Sequence, residues 1–197
     1  PGSDPVISPD GSMIVYPQDG RLWIRDLNKL ESRPITDSEQ AWQSLWSPQS
    51  DFIIYSSLKD GAWTLSKVSA QGGPSTILCP LSGPAESTWG PDGTIVVGLG
   101  TEGLHTVSAK GGELQVLTLS DTSSGEIALY GPELLPDGNT LLIDVSYTDG
   151  EEGLLLLSED TRIPIHRERG TIAYPAYSPT GHILFQRDWP VSEGIWA

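Results

Sequence analysis

The tetrapeptide Ser8-Pro9-Asp10-Gly11 constrains this chain more than any other feature, because variants of it return four times, each ahead of an apolar run. They read Ser47-Pro48-Gln49-Ser50, Gly90-Pro91-Asp92-Gly93, Leu135-Pro136-Asp137-Gly138 and Ser178-Pro179-Thr180-Gly181, and their prolines lie 39, 43, 45 and 43 residues apart. That period fits four short strands, one blade of a β-propeller, and such units stack because none can bury its apolar face alone. Within each turn proline presets φ, aspartate accepts from amides ahead of it, and glycine takes a positive φ. A chain reversal is therefore expected at every copy.

The intervening residues supply the strands. In the first repeat, residues 6–7, 13–16, 22–24 and 33–36 read as strands, with Asp19-Gly20 as a hairpin turn. The second offers 44–46, 52–55, 63–65 and 76–78, and the third 87–89, 94–97, 104–107 and 114–117. The fourth has an inner strand near Leu134, a long hairpin over 146–153, a strand at 154–157 and an outer strand at 163–165. The fifth offers 175–177, 183–185 and 194–196 and stops in its third strand. The expected fold is all-β: a propeller of four-stranded blades at 5–37, 41–79, 85–119, 130–167 and 173–197, the last incomplete. Residues 1–197 then form one propeller region, part of a ring of six to eight blades.

The formal net charge of −15, with 11 Lys and Arg in all, argues against a nucleic-acid surface, which depends on clustered cations. Cys79 is the single cysteine, so an internal disulfide and a cysteine-based zinc site are both excluded. No run approaches the roughly 20 apolar residues that span a bilayer, so this segment is not expected to insert directly into a membrane. The opening Pro1-Gly2-Ser3-Asp4 has neither an initiator Met nor a signal pattern, as expected of a piece of a longer protein.

The repeated Ser-Pro-Asp-Gly turn, followed by an apolar strand and an Asp-Gly or Glu-Gly before an aromatic strand, resembles the TolB-like propeller repeats of TolB and of prolyl oligopeptidases. The run from Arg21-Leu22-Trp23-Ile24 to Arg33-Pro34-Ile35, with Trp46-Ser47-Pro48 and Ala70-Gln71-Gly72-Gly73-Pro74, looks like propellers attached to bacterial eukaryotic-like serine/threonine kinases and some transcriptional regulators. The resemblance implies a TolB-like or WD-like blade, a sensor or interaction role, and an extracytoplasmic location; the residues themselves set no compartment. A kinase Gly-rich loop, His-Arg-Asp loop and Asp-Phe-Gly are all missing from the sequence, so kinase activity could belong only to another part of a parent chain.

Candidate chemistry is sparse. The glycines of Gly98-Leu99-Gly100-Thr101-Glu102-Gly103 have dinucleotide-type spacing, but no helix follows to face a pyrophosphate, and a hairpin loop is expected. Gly-x-Ser-x-Gly is absent, and His105, His166 and His182 fall at different repeat positions, so no catalytic residue and no cofactor are expected. Asp144, Asp149, Glu151 and Glu152 read as a solvated acidic loop, an acidic rim with Asp188 and Glu193 that could meet a hard cation or a basic partner. Trp23, Trp46, Trp63, Trp89 and Trp196 read as core fillers, whereas Trp42 and Trp189 sit in or beside loops and are candidate contacts.

A noncatalytic protein-interaction or sensor module of a larger bacterial protein is the functional expectation. The alternatives are a small-ligand or divalent-cation sensor domain and an accessory propeller of a prolyl-oligopeptidase-like hydrolase. The partner is another protein or an unidentified small ligand. Blade-end loops over 37–41, 80–85, 121–130 and 168–173 are the expected recognition surface, the third foremost. The partner-contact candidates are Trp42, Asp121, Glu126, Tyr130 and Trp189.

Overall fold

The turn motif places strands where its spacing requires them. The computed structural model describes residues 4–159, 161–188 and 194–196. The strands of the first repeat are β1 (Val6–Ile7), β2 (Met13–Gln18), β3 (Arg21–Asp26) and β4 (Ser32–Pro34). Those of the second are β5 (Ala41–Trp46), β6 (Phe52–Lys59), β7 (Ala62–Ser69) and β8 (Thr76–Leu81). The third contributes β9 (Glu86–Trp89), β10 (Thr94–Gly98), β11 (Leu104–Ser108) and β12 (Gln115–Thr118). The fourth holds β13 (Glu126–Leu134), β14 (Leu141–Tyr147), β15 (Glu151–Ser158) and β16 (Thr161–Arg169). The last is β17 (Thr171–Ser178), β18 (His182–Asp188) and β19 (Gly194–Trp196). Each repeat forms its own sheet in sequence order, four strands in the first four and three in the fifth. This all-β arrangement of consecutive antiparallel blades is the propeller pattern.

The turns work as their residues require. Asp10 accepts from the Ser12 amide at 3.0 Å and the Ser8 hydroxyl at 2.6 Å, Asp92 from the Thr94 amide at 2.9 Å, and Asp137 from the Asn139 and Thr140 amides at 3.0 and 2.9 Å. The degraded second copy closes differently: Ser50 takes a positive φ of 62° in glycine's place. There the Ser47 hydroxyl donates to Asp51 at 2.7 Å, so the carboxylate has moved two residues on.

Two compact units divide the chain. The first holds Pro1–Ala85, Trp89–Ile95 and Val107–Leu114, and the second Glu86–Thr88, Val96–Thr106 and Gln115–Ala197. In the first, Met13 and Val15 of β2, Leu22 and Ile24 of β3, and Trp46, Ile53, Tyr55 and Val68 of the next sheet make one buried cluster. Burying each such aliphatic side chain stabilises the unit by about 1.5–3 kcal/mol. In the second, strand alternation splits β14 between two cores. Leu141, Ile143, Val145 and Tyr147 join Leu104, Leu129 and Leu155, whereas Leu142 joins Leu154 and Ile172 on the opposite face. By the same alternation Asp144 follows Leu142 on the face toward β17.

Several expectations are corrected. The hairpin expected over 146–153 is a short turn at Thr148, Asp149 and Gly150, because β14 and β15 extend into it. The outer strand expected at 163–165 runs over Thr161–Arg169, its alternating Arg and Glu supplying a solvated edge rather than a loop. Only Gly170, at φ 126°, separates it from β17, so the loop expected over 168–173 is absent. Among the tryptophans expected in the core, Trp46 is buried and its indole N–H donates to the Val6 carbonyl at 3.0 Å. Trp23, Trp63 and Trp89 are only half-buried.

Candidate functional site

The expected recognition loop over 121–130 resolves mostly into structure. Asp121 caps a short 3-10 turn (Thr122–Ser124), accepting from the Ser123 amide at 3.0 Å and its hydroxyl at 2.6 Å. These bonds hold its carboxyl below the usual range. Glu126 opens β13 at 3 % exposure and is paired with Arg162, while also accepting the Asp121 amide at 2.8 Å. It is a buried structural anchor rather than a partner contact, because its carboxylate is already occupied. Arg162 further donates to Thr118 Oγ1 at 3.3 Å, which ties β16 to the end of β12. Tyr130 remains 41 % exposed on β13, its ring lying against Gly100. Trp42 is 37 % exposed but belongs to strand β5, beside a register shift between Ala41 and Gln43, not to a loop. Trp189 and Glu193 lie outside the described residues.

The expected acidic rim also divides. Asp149 and Glu151 are both paired with Arg167, which stacks 3.8 Å above the Tyr147 ring, so their charge is partly offset at the hairpin. Asp144, expected on the same loop, is instead 5 % exposed in the middle of β14. Glu152 pairs across the strands with Ser146, whose hydroxyl donates to it at 2.9 Å. Among the described residues no three His, Cys, Asp or Glu side chains are grouped to hold a metal ion. Gly98-to-Gly103 is the hairpin its glycines imply: Gly100 and Gly103 take positive φ, and the Leu99 amide donates to the Gly103 carbonyl. His105, His166 and His182 lie on β11, β16 and β18, and His166 packs against Phe185 with ring centres 5.3 Å apart.

Sequence reading named Asp144 and Glu152 on a loop and missed Glu86 and Glu133, which with them make a set of carboxylates on the strands of the second unit. Their placement follows from two bulges. Register shifts between Tyr130 and Glu133 and between Ala173 and Ala176, and within them Gly131 and Tyr174 take φ of 50° and 53°. Such bulges re-aim backbone groups. The Gly131 amide bonds the Glu86 carboxylate, and the Tyr174 amide bonds the Asp144 carboxylate. One carboxylate of a blade thus takes an amide from the bulge of the next. A second rung repeats the logic: the Leu134 amide donates to Thr88 Oγ1 at 3.2 Å and the Tyr177 amide to Glu133 at 2.9 Å.

Electrostatically this set is one-sided. Burial raises the carboxyls of Glu86, Glu133 and Glu152 above the usual range, each only partly offset by its hydrogen bond. Asp144 is pushed up to about 8, by burial first and then by the charges of Glu86 and Glu152, against the Tyr174 amide. Among the described residues no cation offsets these groups, in contrast to Asp149 and Glu151 with Arg167. Asp144 Oδ1 is moreover buried without a hydrogen-bond partner. At neutral pH Asp144 is therefore a protonated acid beside ionisable neighbours, poised to release its proton to an arriving positive charge.

The first unit differs. A cavity of about 400 Å³ opens beside the hairpin of residues 17–22, with Gln40 and Ala41 on its other wall. Arg21, which lines it, is paired with Glu39 at 3.0 Å. Among the described residues no helix is long and apolar enough to cross a membrane.

No family model matches the chain, and no curated protein matches it. Solved structures do. The putative TolB from Agrobacterium tumefaciens is 19 % identical with a TM-score of 0.73, covering 94 % of this chain and 69 % of its own. TolB from Acinetobacter baumannii is 16 % identical with a TM-score of 0.80, covering 99 % of this chain and 51 % of its own. An acylaminoacyl peptidase in complex with Z-Gly-Gly-Phe-chloromethyl ketone is 14 % identical with a TM-score of 0.70, covering 98 % of this chain and 36 % of its own. This chain thus spans between about a third and two thirds of these proteins' lengths. At such identities the likeness establishes the TolB-type propeller fold, which enzymes and non-enzymes share.

Proposed function

We propose that the chain is a noncatalytic interaction module of a longer bacterial protein, and that its second unit receives a cationic segment of a partner through its inner-strand carboxylates. The observation that carries this reading is Asp144, buried with Oδ1 unpaired and raised by the charges of Glu86 and Glu152, with no cation offsetting it among the described residues. The likeness to TolB supports a module of this kind, and the net charge of −15 favours basic partners through long-range attraction. Capture experiments with the wild-type chain and an E86Q/D144N variant test it. Salt-sensitive partners held by the wild type and lost by the variant are expected; equal retention by both removes these carboxylates from recognition. The match to acylaminoacyl peptidase favours a second reading, an accessory propeller of a prolyl-oligopeptidase-like hydrolase. A serine hydrolase domain in the flanking parent sequence would decide for it, and a kinase domain with one membrane-spanning helix for an extracytoplasmic sensor.

A further inference from the structure

Asp144 poses a problem that its own blade does not solve. Its carboxyl is buried, one oxygen is served by the Tyr174 amide, and Oδ1 has no protein partner. Leaving a buried acceptor unpaired is costly, and in a folded protein it calls for a reason. The surroundings of Oδ1 show what is missing. Glu86 and Glu152 add negative charge. Gly131 supplies bare backbone: a Cβ there would stand 2.9 Å from Oδ1, so glycine leaves the carboxyl seated directly against the chain. Each carboxylate takes a single neutral donor, from the Tyr174 amide, the Gly131 amide and the Ser146 hydroxyl, and among the described residues none donates to Asp144 Oδ1.

The complementary group brings positive charge and several N–H donors in a small volume. Among the described residues no three His, Cys, Asp or Glu side chains are grouped to coordinate a metal ion. A guanidinium is a wide planar fork suited to a bidentate carboxylate, whereas one Asp144 oxygen is already occupied. A primary ammonium is compact and carries three rotatable donors. We propose that Glu86, Asp144 and Glu152 form a receptor for a primary alkylammonium group, with Asp144 Oδ1 accepting one of its N–H bonds. The inference rests on the cationic-partner reading above and names its chemistry. The group is either a lysine side chain on a partner segment or a free alkylamine.

Calorimetric titration of the full chain at pH 7 and low ionic strength tests this, with butylammonium chloride, an acetylated and amidated Gly-Lys-Gly peptide, and the same peptide carrying Nε-acetyl-lysine. Runs in two buffers of different ionisation enthalpy report proton release. Asp144 is held protonated up to about 8, so binding is expected to expel close to one proton, a signal that simple surface attraction lacks. Asp144→Asn, which keeps the side-chain shape, is expected to lower affinity by about tenfold or more and to abolish the release. Glu86→Gln is expected to lower affinity by roughly threefold while retaining part of it. The acetylated peptide is expected not to bind. Tight binding of the lysine peptide alone assigns the group to a partner chain, and equal binding of butylammonium assigns it to a free amine. If neither amine binds, or if both variants bind like the wild type, the inference is overturned. Partner capture that still depends on Glu86 and Asp144 while neither amine binds would overturn it and leave the broader reading standing.

Discussion

Ser56 and Asp144 occupy the same place in two blades and do opposite things. Each is the third residue after the one paired with the last residue of the inner strand, Ile53 with Trp46 and Leu141 with Leu134. Ser56 is 1 % exposed and its hydroxyl donates to the Ala85 carbonyl at 3.2 Å. Asp144 is nearly as buried, carries an unpaired oxygen and faces two further carboxylates. The first unit places there a serine whose need is met by the backbone. The second places carboxylates there and leaves one unmet. Identical strand geometry thus serves packing in one unit and chemistry in the other, and the turns that define the repeat serve neither selectively.

The largest effect that sharpens this comparison lies at the inner-strand ends. Trp46→Ala should destabilise the chain by about 3–5 kcal/mol, because a buried ring and its bond to Val6 are lost together. Leu134→Ala, at the matching but half-buried position, should cost about 1–2 kcal/mol. Urea unfolding of both variants compares the units, and equal losses would show that the second is packed as tightly there as the first.

Next in size is the pH response of Asp144. Its folded pKa lies above its unfolded one, so the folded state binds the proton more tightly. Its contribution to stability is complete below the ordinary value of 3.8 and is lost as pH rises through about 8. Asp144→Asn should therefore gain progressively on the wild type between pH 4 and pH 9. Ser56→Ala should cost about 1 kcal/mol and show the same loss at both pH values. A flat pH difference for Asp144→Asn would erase the distinction between the two positions.

The smallest effect belongs to the turns. The Ser8 hydroxyl, with Ser12, lowers Asp10 to about 2, so its stabilising contribution is present above 3.8 and lost as pH falls through about 2. Asp10→Ala should slightly lower the melting temperature at pH 5, with the difference closing toward pH 2 and with partner binding unchanged. A change in binding would return function to the repeat motif itself.

The strands were legible because Ser-Pro-Asp-Gly fixes where each reversal falls, and alternation then assigns the apolar residues to faces. The acidic site was not, and particular residues show why. Proximity in sequence grouped Asp144 with Asp149 and Glu151, but Arg167 from the adjacent outer strand pairs with those two, and alternation turns Asp144 inward. Glu86 meets Asp144 only across blades, and the amide each accepts comes from a bulge that no spacing rule announces. Gly131 was the available signal: a glycine inside an apparent strand marks a bulge. Glu126 was misplaced for a similar reason, since its partner Arg162 lies 36 residues away.

The most direct measurement follows the carboxyl carbon of Asp144 by NMR through a pH titration, in the wild-type chain and in E86Q. Titration near 8 is expected in the wild type, moving down in the variant as the Glu86 charge is removed. Titration in the ordinary range near 3.8, unchanged by E86Q, would contradict a cation-free carboxylate site in the second unit.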